Sequence, residues 1–198
     1  MIVVLGRPGL TADDHIDRPA GRIALAAARA GGRVELVGSV GDDADGDAVV
    51  VELGGAGIGH AAVLRDPAGN TPRAPEGDGD GANRRLPRLD AADIDLGLQY
   101  LSECNVLVVA DDLDRDALKV VADAATYHGA SLVVVASEPN GALDELPESA
   151  IVLGPLTEDG GAFVDLVGHY AAALDAGRLP ADAWRDAIAE SGWEQATE

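Results

Sequence analysis

The chain has little of what usually announces chemistry. Its 198 residues include a single cysteine (Cys104), a single methionine, a single phenylalanine and one lysine (Lys119), and aromatic residues make up only 3%. A lone cysteine excludes an internal disulfide framework and any site built on several thiolates. The four histidines, His15, His60, His128 and His169, share no metal-ligand spacing, so surface and capping roles are expected and no metal site is predicted. No run of about 18 apolar residues occurs, so no membrane-spanning helix is expected. No glycine-rich turn ends in Gly-Lys-Ser or Gly-Lys-Thr, which excludes a Walker-type phosphate loop. The opening Met-Ile-Val-Val-Leu-Gly reads as a strand without a basic stretch or a cleavage site, and a cytoplasmic location is the expectation.

Acid is abundant. Asp and Glu number 35 against 14 Lys and Arg, giving a net charge of −21 and an isoelectric point near 4.2. Such a chain is repelled by a phosphate backbone, so no nucleic-acid partner is expected. A solvated acidic surface almost without lysine fits a protein working in high salt, where screening relieves its self-repulsion. The hydrophobic fraction of 47% with so few aromatics implies a core of Ala, Val and Leu. The length suits one domain over 1–198.

Mainly apolar runs at 1–6, 34–37 (with Glu35 within it), 60–64, 105–110, 131–136 and 150–153 read as strands covered on both faces. Between them, 20–30, 48–53, 90–102, 114–128, 161–176 and 180–191 read as helices. Gly31-Gly32, Gly129 and Gly177 serve as stops, and Asp47, Asp90 and Asp114 as N-caps. Alternation of the two types predicts an α/β fold with a mostly parallel central sheet. Residues 7–19 read as a polar loop and 140–147 as a short connection. The Gly/Pro/Asp-rich stretch around 66–89 is expected to be a flexible excursion. Trp184 and Trp193 read as packing anchors.

Aspartates gather at the ends of the predicted strands. Asp42, Asp43 and Asp45 punctuate the turn at 38–47 but lack the distal glutamate of a calcium loop, so turn chemistry is the expectation. Asp111 and Asp112 follow a central strand at the carboxyl edge, where α/β ligands bind, and Glu138 lies at the equivalent position after the next. Asp114 is there as a cap.

Gly38-Ser39-Val40-Gly41-Asp42-Asp43-Ala44-Asp45-Gly46-Asp47, followed by a helix and Gly57-Ile58, resembles the N-terminal signature of the ribokinase-like (PfkB) carbohydrate and nucleoside kinases. The resemblance extends along most of the chain. Residues 20–32 are similar to the family's helix before the signature strand, and Gly81-Ala82-Asn83-Arg84-Arg85-Leu86 to its Gly-Ala-Asn-x-x-Leu segment. The runs at 105–110 and 131–136 match its next strands, and 162–191 its C-terminal helices. The resemblance implies a three-layer sandwich and, in an intact member, ATP- and Mg2+-dependent phosphorylation of a sugar or nucleoside hydroxyl. Carried onto this chain, it places substrate contacts at Asp13, Asp14, Gly41, Asp42 and Asp111. The anion-binding helix start falls at Gly160 and Gly161.

The departures fall where that chemistry should be. The family's sugar-binding aspartate position is occupied by Thr11, with Asp13 and Asp14 two and three residues late. Arg22 stands where an asparagine should touch substrate hydroxyls. Leu156 replaces the asparagine of the magnesium-organising segment, and Gly161 the catalytic aspartate. The segment before the first long helix is short for the family's β lid, and the strands that hold the nucleotide are missing. Glu158 and Asp159 would put negative charge where amides should face an anion, so helix capping suits them better. Asp165 lies about 6 Å further down the helix axis. The leading expectation is a shortened kinase homologue without turnover that keeps small-ligand binding. Two alternatives stand beside it: an active ATP-dependent kinase using Asp159 or Asp165 as a substitute base, and an assembly protein pairing through exposed sheet edges.

Overall fold

The computed structural model describes residues 1–74, 85–136, 143–154 and 160–191. In chain order its elements are β1 (Ile2–Leu5), β2 (Gly9–Leu10), β3 (Ile16–Asp17), α1 (Arg18–Arg29), β4 (Val34–Gly41), α2 (Ala44–Gly55), β5 (Gly59–Asp66), α3 (Ala91–Gln99), β6 (Val106–Val109), α4 (Arg115–His128), β7 (Ser131–Val135), β8 (Ile151–Leu153), α5 (Gly160–Asp175) and α6 (Pro180–Ser191). A 3-10 turn at Leu143–Glu145 lies within the stretch read as a bare connection.

The apolar runs do become strands, fully buried in β1 and β6 and partly exposed in the edge strands β5 and β8. Six of them form one sheet in the order β5-β4-β1-β6-β7-β8, and every pairing is parallel. The period of two then divides each strand between two cores. Ile2 and Val4 of β1 face a cluster built from α1, α2, α5 and α6, while Val3 and Leu5 face one built from α3 and α4. This is the three-layer α/β sandwich that the alternation predicts. Burying each large aliphatic side chain contributes about 1.5–3 kcal/mol, and Ile2, Leu5, Ile23, Leu36 and Leu107 are fully buried. Trp184 meets Tyr170 edge-on, with ring centroids 5.3 Å apart, and fixes α6 on α5. Trp193 lies outside the described residues. Among those described, no helix is long and apolar enough to cross a membrane.

Several boundaries differ from the sequence reading, beginning with β4, which runs on to Gly41 through the first four residues of the stretch read as a turn, and β5, which runs on to Asp66. Residues 7–19 are not simply a loop: β2 and β3 pair as a minimal antiparallel hairpin, and α1 begins at Arg18 with Pro19 in its first turn. Two-residue strands carry no periodicity that could reveal them. Helix α2 begins at Ala44 instead of 48, with Asp43 and not Asp47 as its N-cap. The competition among four nearby aspartates is decided by bonds to a distant segment, described below. Helix α3 ends at Gln99 and not at 102, although Leu98 and Leu101 both pack on the core as expected. The caps at Asp90 and Asp114 form as read, Asp90 within a reciprocal capping box.

Candidate functional site

In this sheet the chain leaves β1 toward β4 through α1 on one face, and leaves β6 toward β7 through α4 on the other. The crevice of an open α/β sheet therefore lies beyond the carboxyl ends of β1 and β6. Arg7 and Asp111 stand there. The Arg7 Nε donates to Asp111 Oδ2 at 2.8 Å and Nη2 to Oδ1 at 2.7 Å, while the backbone N–H groups of Arg7 and Asp112 add bonds of 2.8 and 2.9 Å. The side chains are 16% and 6% exposed. The hydrogen bond to Asp111 raises the Arg7 pKa further, so the guanidinium stays charged. Asp111 thus lies at the edge the sequence indicated, with both carboxylate oxygens already engaged by the protein.

The signature turn at the end of β4 is bound in the same inward way. The Asp43 carboxylate accepts from Gly46 N at 2.8 Å, Thr71 N at 2.9 Å and Thr71 Oγ1 at 2.7 Å. The fully buried Thr71 hydroxyl in turn accepts from Gly41 N at 2.9 Å. Gly41 has no room for a side chain, since a Cβ would come within 2.7 Å of Thr71 N. Gly38 is required because the Gly6 carbonyl of the neighbouring β1 end crosses directly over it. Asp47 pairs with Arg65 at 2.7 Å. Asp42 is exposed, and its backbone N–H donates to the Asp66 carbonyl at 3.2 Å.

Arg73 joins this turn to the hairpin. Its guanidinium reaches Asp45 at 2.7 Å, Asp14 at 2.7 Å and the carbonyls of Thr11 and Ala12 at 3.0 and 3.3 Å. These partners raise its pKa, led by the bonds to Asp45. Asp14 adopts a positive φ of 61° at the hairpin tip, and Asp13 beside it is exposed. Nothing local in the sequence marks Arg7, Thr71 or Arg73, whose partners lie 28 to 104 residues away.

The remaining candidates lie elsewhere. Gly160 and Gly161 open α5. Asp165 is exposed on the outer side of that helix, in a groove of about 610 Å³ between α1, α2 and α5 that also holds Arg22, Arg29, His15 and Glu52. Arg22, a departure from the kinase pattern, and Asp165, the candidate substitute base, therefore meet in the outer helical layer. Glu138, Leu156, Glu158 and Asp159 lie outside the described residues. Burial pushes the Cys104 thiol up to about 11, so it is no nucleophile. Among the described residues, no group of three or more His, Cys, Asp or Glu could hold a metal ion.

Comparison with solved structures places this architecture. Arabidopsis thaliana ribokinase, solved with ribose and ATP, superposes with a TM-score of 0.70 at 15% identity, the match spanning 96% of this chain and 90% of that one. A carbohydrate kinase from Agrobacterium tumefaciens gives 0.67 at 16%, spanning 96% and 89%. An uncharacterized sugar kinase from Pyrococcus horikoshii, solved with ATP, gives 0.55 at 14%, spanning 87% and 61%. No protein-family model and no curated protein sequence matches the chain. The fold is the ribokinase-like fold.

Proposed function

We propose that this chain is a ribokinase-fold protein that binds a small sugar or nucleoside at the carboxyl edge of its sheet and transfers no phosphate. One observation carries the reading. Strand β8 ends at Leu153 and α5 begins at Gly160, so only the six residues 154–159 separate them. Two strands of ordinary length with the turns that join them take more than six residues, so the sequence leaves no length there for the family's usual strand pair. By the family resemblance, those strands should hold the nucleotide.

The chemistry of the remaining groups supports the same conclusion. Phosphoryl transfer needs donors facing the γ-phosphate and a carboxylate beside the attacking hydroxyl. Gly161 supplies no carboxylate, and Asp165 lies in the outer groove. The pair at the crevice, Arg7 with Asp111, is already mutually neutralised. Its outer surface suits hydroxyl recognition better than the stabilisation of transferred charge.

Calorimetry with ATP and magnesium in high salt tests this. The expected result is no saturable heat, and no ADP release with a panel of sugars and nucleosides. Micromolar ATP binding, or turnover abolished by Asp159→Asn or Asp165→Asn, would instead establish an active kinase with a substitute base. The short β8 edge, with Val152 48% exposed, also suits pairing with a second copy. A sedimentation run showing only monomer removes that part.

A further inference from the structure

On the α3 side of the sheet, a cavity of about 420 Å³ opens at the carboxyl ends of β4 and β5, with Ser39, Arg65, Asp66, Arg85, Arg88 and Asp93 around it. We propose that it is a binding site for a small phosphate monoester. The inference is independent of the proposed loss of phosphoryl transfer, because it involves neither the Arg7–Asp111 pair nor the start of α5.

Ser39 is the first observation. It projects from β4 to the same face as Val37, which packs against α3. It is 1% exposed, and its Oγ has no hydrogen-bond partner among the described residues. A buried hydroxyl left unmatched in an otherwise aliphatic strand needs a ligand oxygen or water to satisfy it.

The second is the charge. Three arginines converge on this cavity in a chain of net charge −21. Arg65 is held by Asp47 at 2.7 Å, and Arg88 by Asp93 at 3.1 Å and Asp90 at 3.4 Å, which orients both guanidiniums. Arg85 makes no ion pair among the described residues and keeps its fork for a ligand. Of the two acids, Asp66 is engaged by backbone: its oxygens accept from Ala68 N at 2.9 Å and Arg88 N at 2.7 Å. Asp93 is engaged by Arg88 and by Asp90 N at 3.2 Å. With Asp47 and Asp90 pairing Arg65 and Arg88 from outside the lining, Arg85 is the guanidinium left without an ion pair among the described residues, and an oxyanion is held by its fork and the Ser39 O–H. The volume falls within the range of small-molecule sites, larger than an inorganic phosphate needs, so the anion is expected to carry an organic group.

The test is titration with glycerol 3-phosphate, inorganic phosphate and acetate at one fixed ionic strength, read by calorimetry and by thermal shift. The melting temperature is expected to rise with phosphate monoester concentration as linkage requires, less with inorganic phosphate, and not with acetate. Ser39→Ala and Arg85→Gln should each weaken binding about tenfold. Ser39→Ala should not lower the melting temperature of the free protein, since it removes an unmatched hydroxyl. Arg29→Gln, in the outer groove, should bind as the parent does. The proposal is overturned if no saturable binding occurs at millimolar monoester, if acetate acts equally, or if both cavity variants bind unchanged.

Discussion

The two halves of the sheet, divided at the centre, differ in how they are held. On the β4–β5 side the signature turn, the hairpin and residues 71–73 are bound together by Asp43, Asp45, Asp47, Arg65 and Arg73. On the other side the sheet ends in a three-residue strand, and its described surface ion pairs are exposed singles such as Arg115 with Glu145. Charge serves different ends in the two halves. In the first, Asp43 and Asp45 of the stretch that resembles a kinase signature act as internal cross-links, while Asp42 and Asp47 stay exposed. In the second, only residues 154–159 separate β8 from α5. A motif can therefore persist for architectural reasons in the half where it is wired into the fold.

The comparison can be broken most forcefully at its dividing line. Asp111→Ala leaves the Arg7 guanidinium partly buried without its partner, and chemical denaturation should register a loss of about 3 kcal/mol. The apolar double variant Arg7→Met with Asp111→Leu should regain most of that. If it regains nothing, the pair is more than a mutual neutraliser. Next in size, Asp43→Ala removes an N-cap and two bonds to the buried Thr71. A loss of about 2 kcal/mol is expected, against less than about 0.5 kcal/mol for Asp47→Ala with its exposed pair. Equal losses at the two positions would put the helix start where the sequence alone suggested. Smallest of all, Val152→Thr on the β8 edge should change the unfolding free energy by no more than about 0.5 kcal/mol. A larger effect would mean that this edge is covered in solution, which sedimentation would show independently.

Much of this was legible from the residues. Val- and Leu-rich runs marked the parallel strands because both faces of such a sheet are covered, and Asp90 and Asp114 marked helix starts because each directly precedes a stretch of helical pattern. The start of α2 was not legible. Asp42, Asp43, Asp45 and Asp47 are locally equivalent, and Thr71 chooses among them from 28 residues away. The candidate crevice was half legible: Asp111 could be placed at the carboxyl edge from its position after a strand, but its ion partner is 104 residues distant. Ser39 carried no signal at all, since a missing hydrogen bond is a property of three-dimensional surroundings.

The position of β1 has a consequence for synthesis. It lies between β4 and β6, and β6 begins only at Val106. A chain emerging residue by residue can pair β1 with β4, and β4 with β5, once the first 66 residues are out. Until some forty more have followed, the other edge of β1 is an apolar strand, Ile2–Leu5, without a neighbour. Arg7 waits over the same interval for the carboxylate that neutralises it. Translation arrested between those points should give an aggregation-prone fragment, and release beyond Asp111 one that holds its central strand covered on both sides.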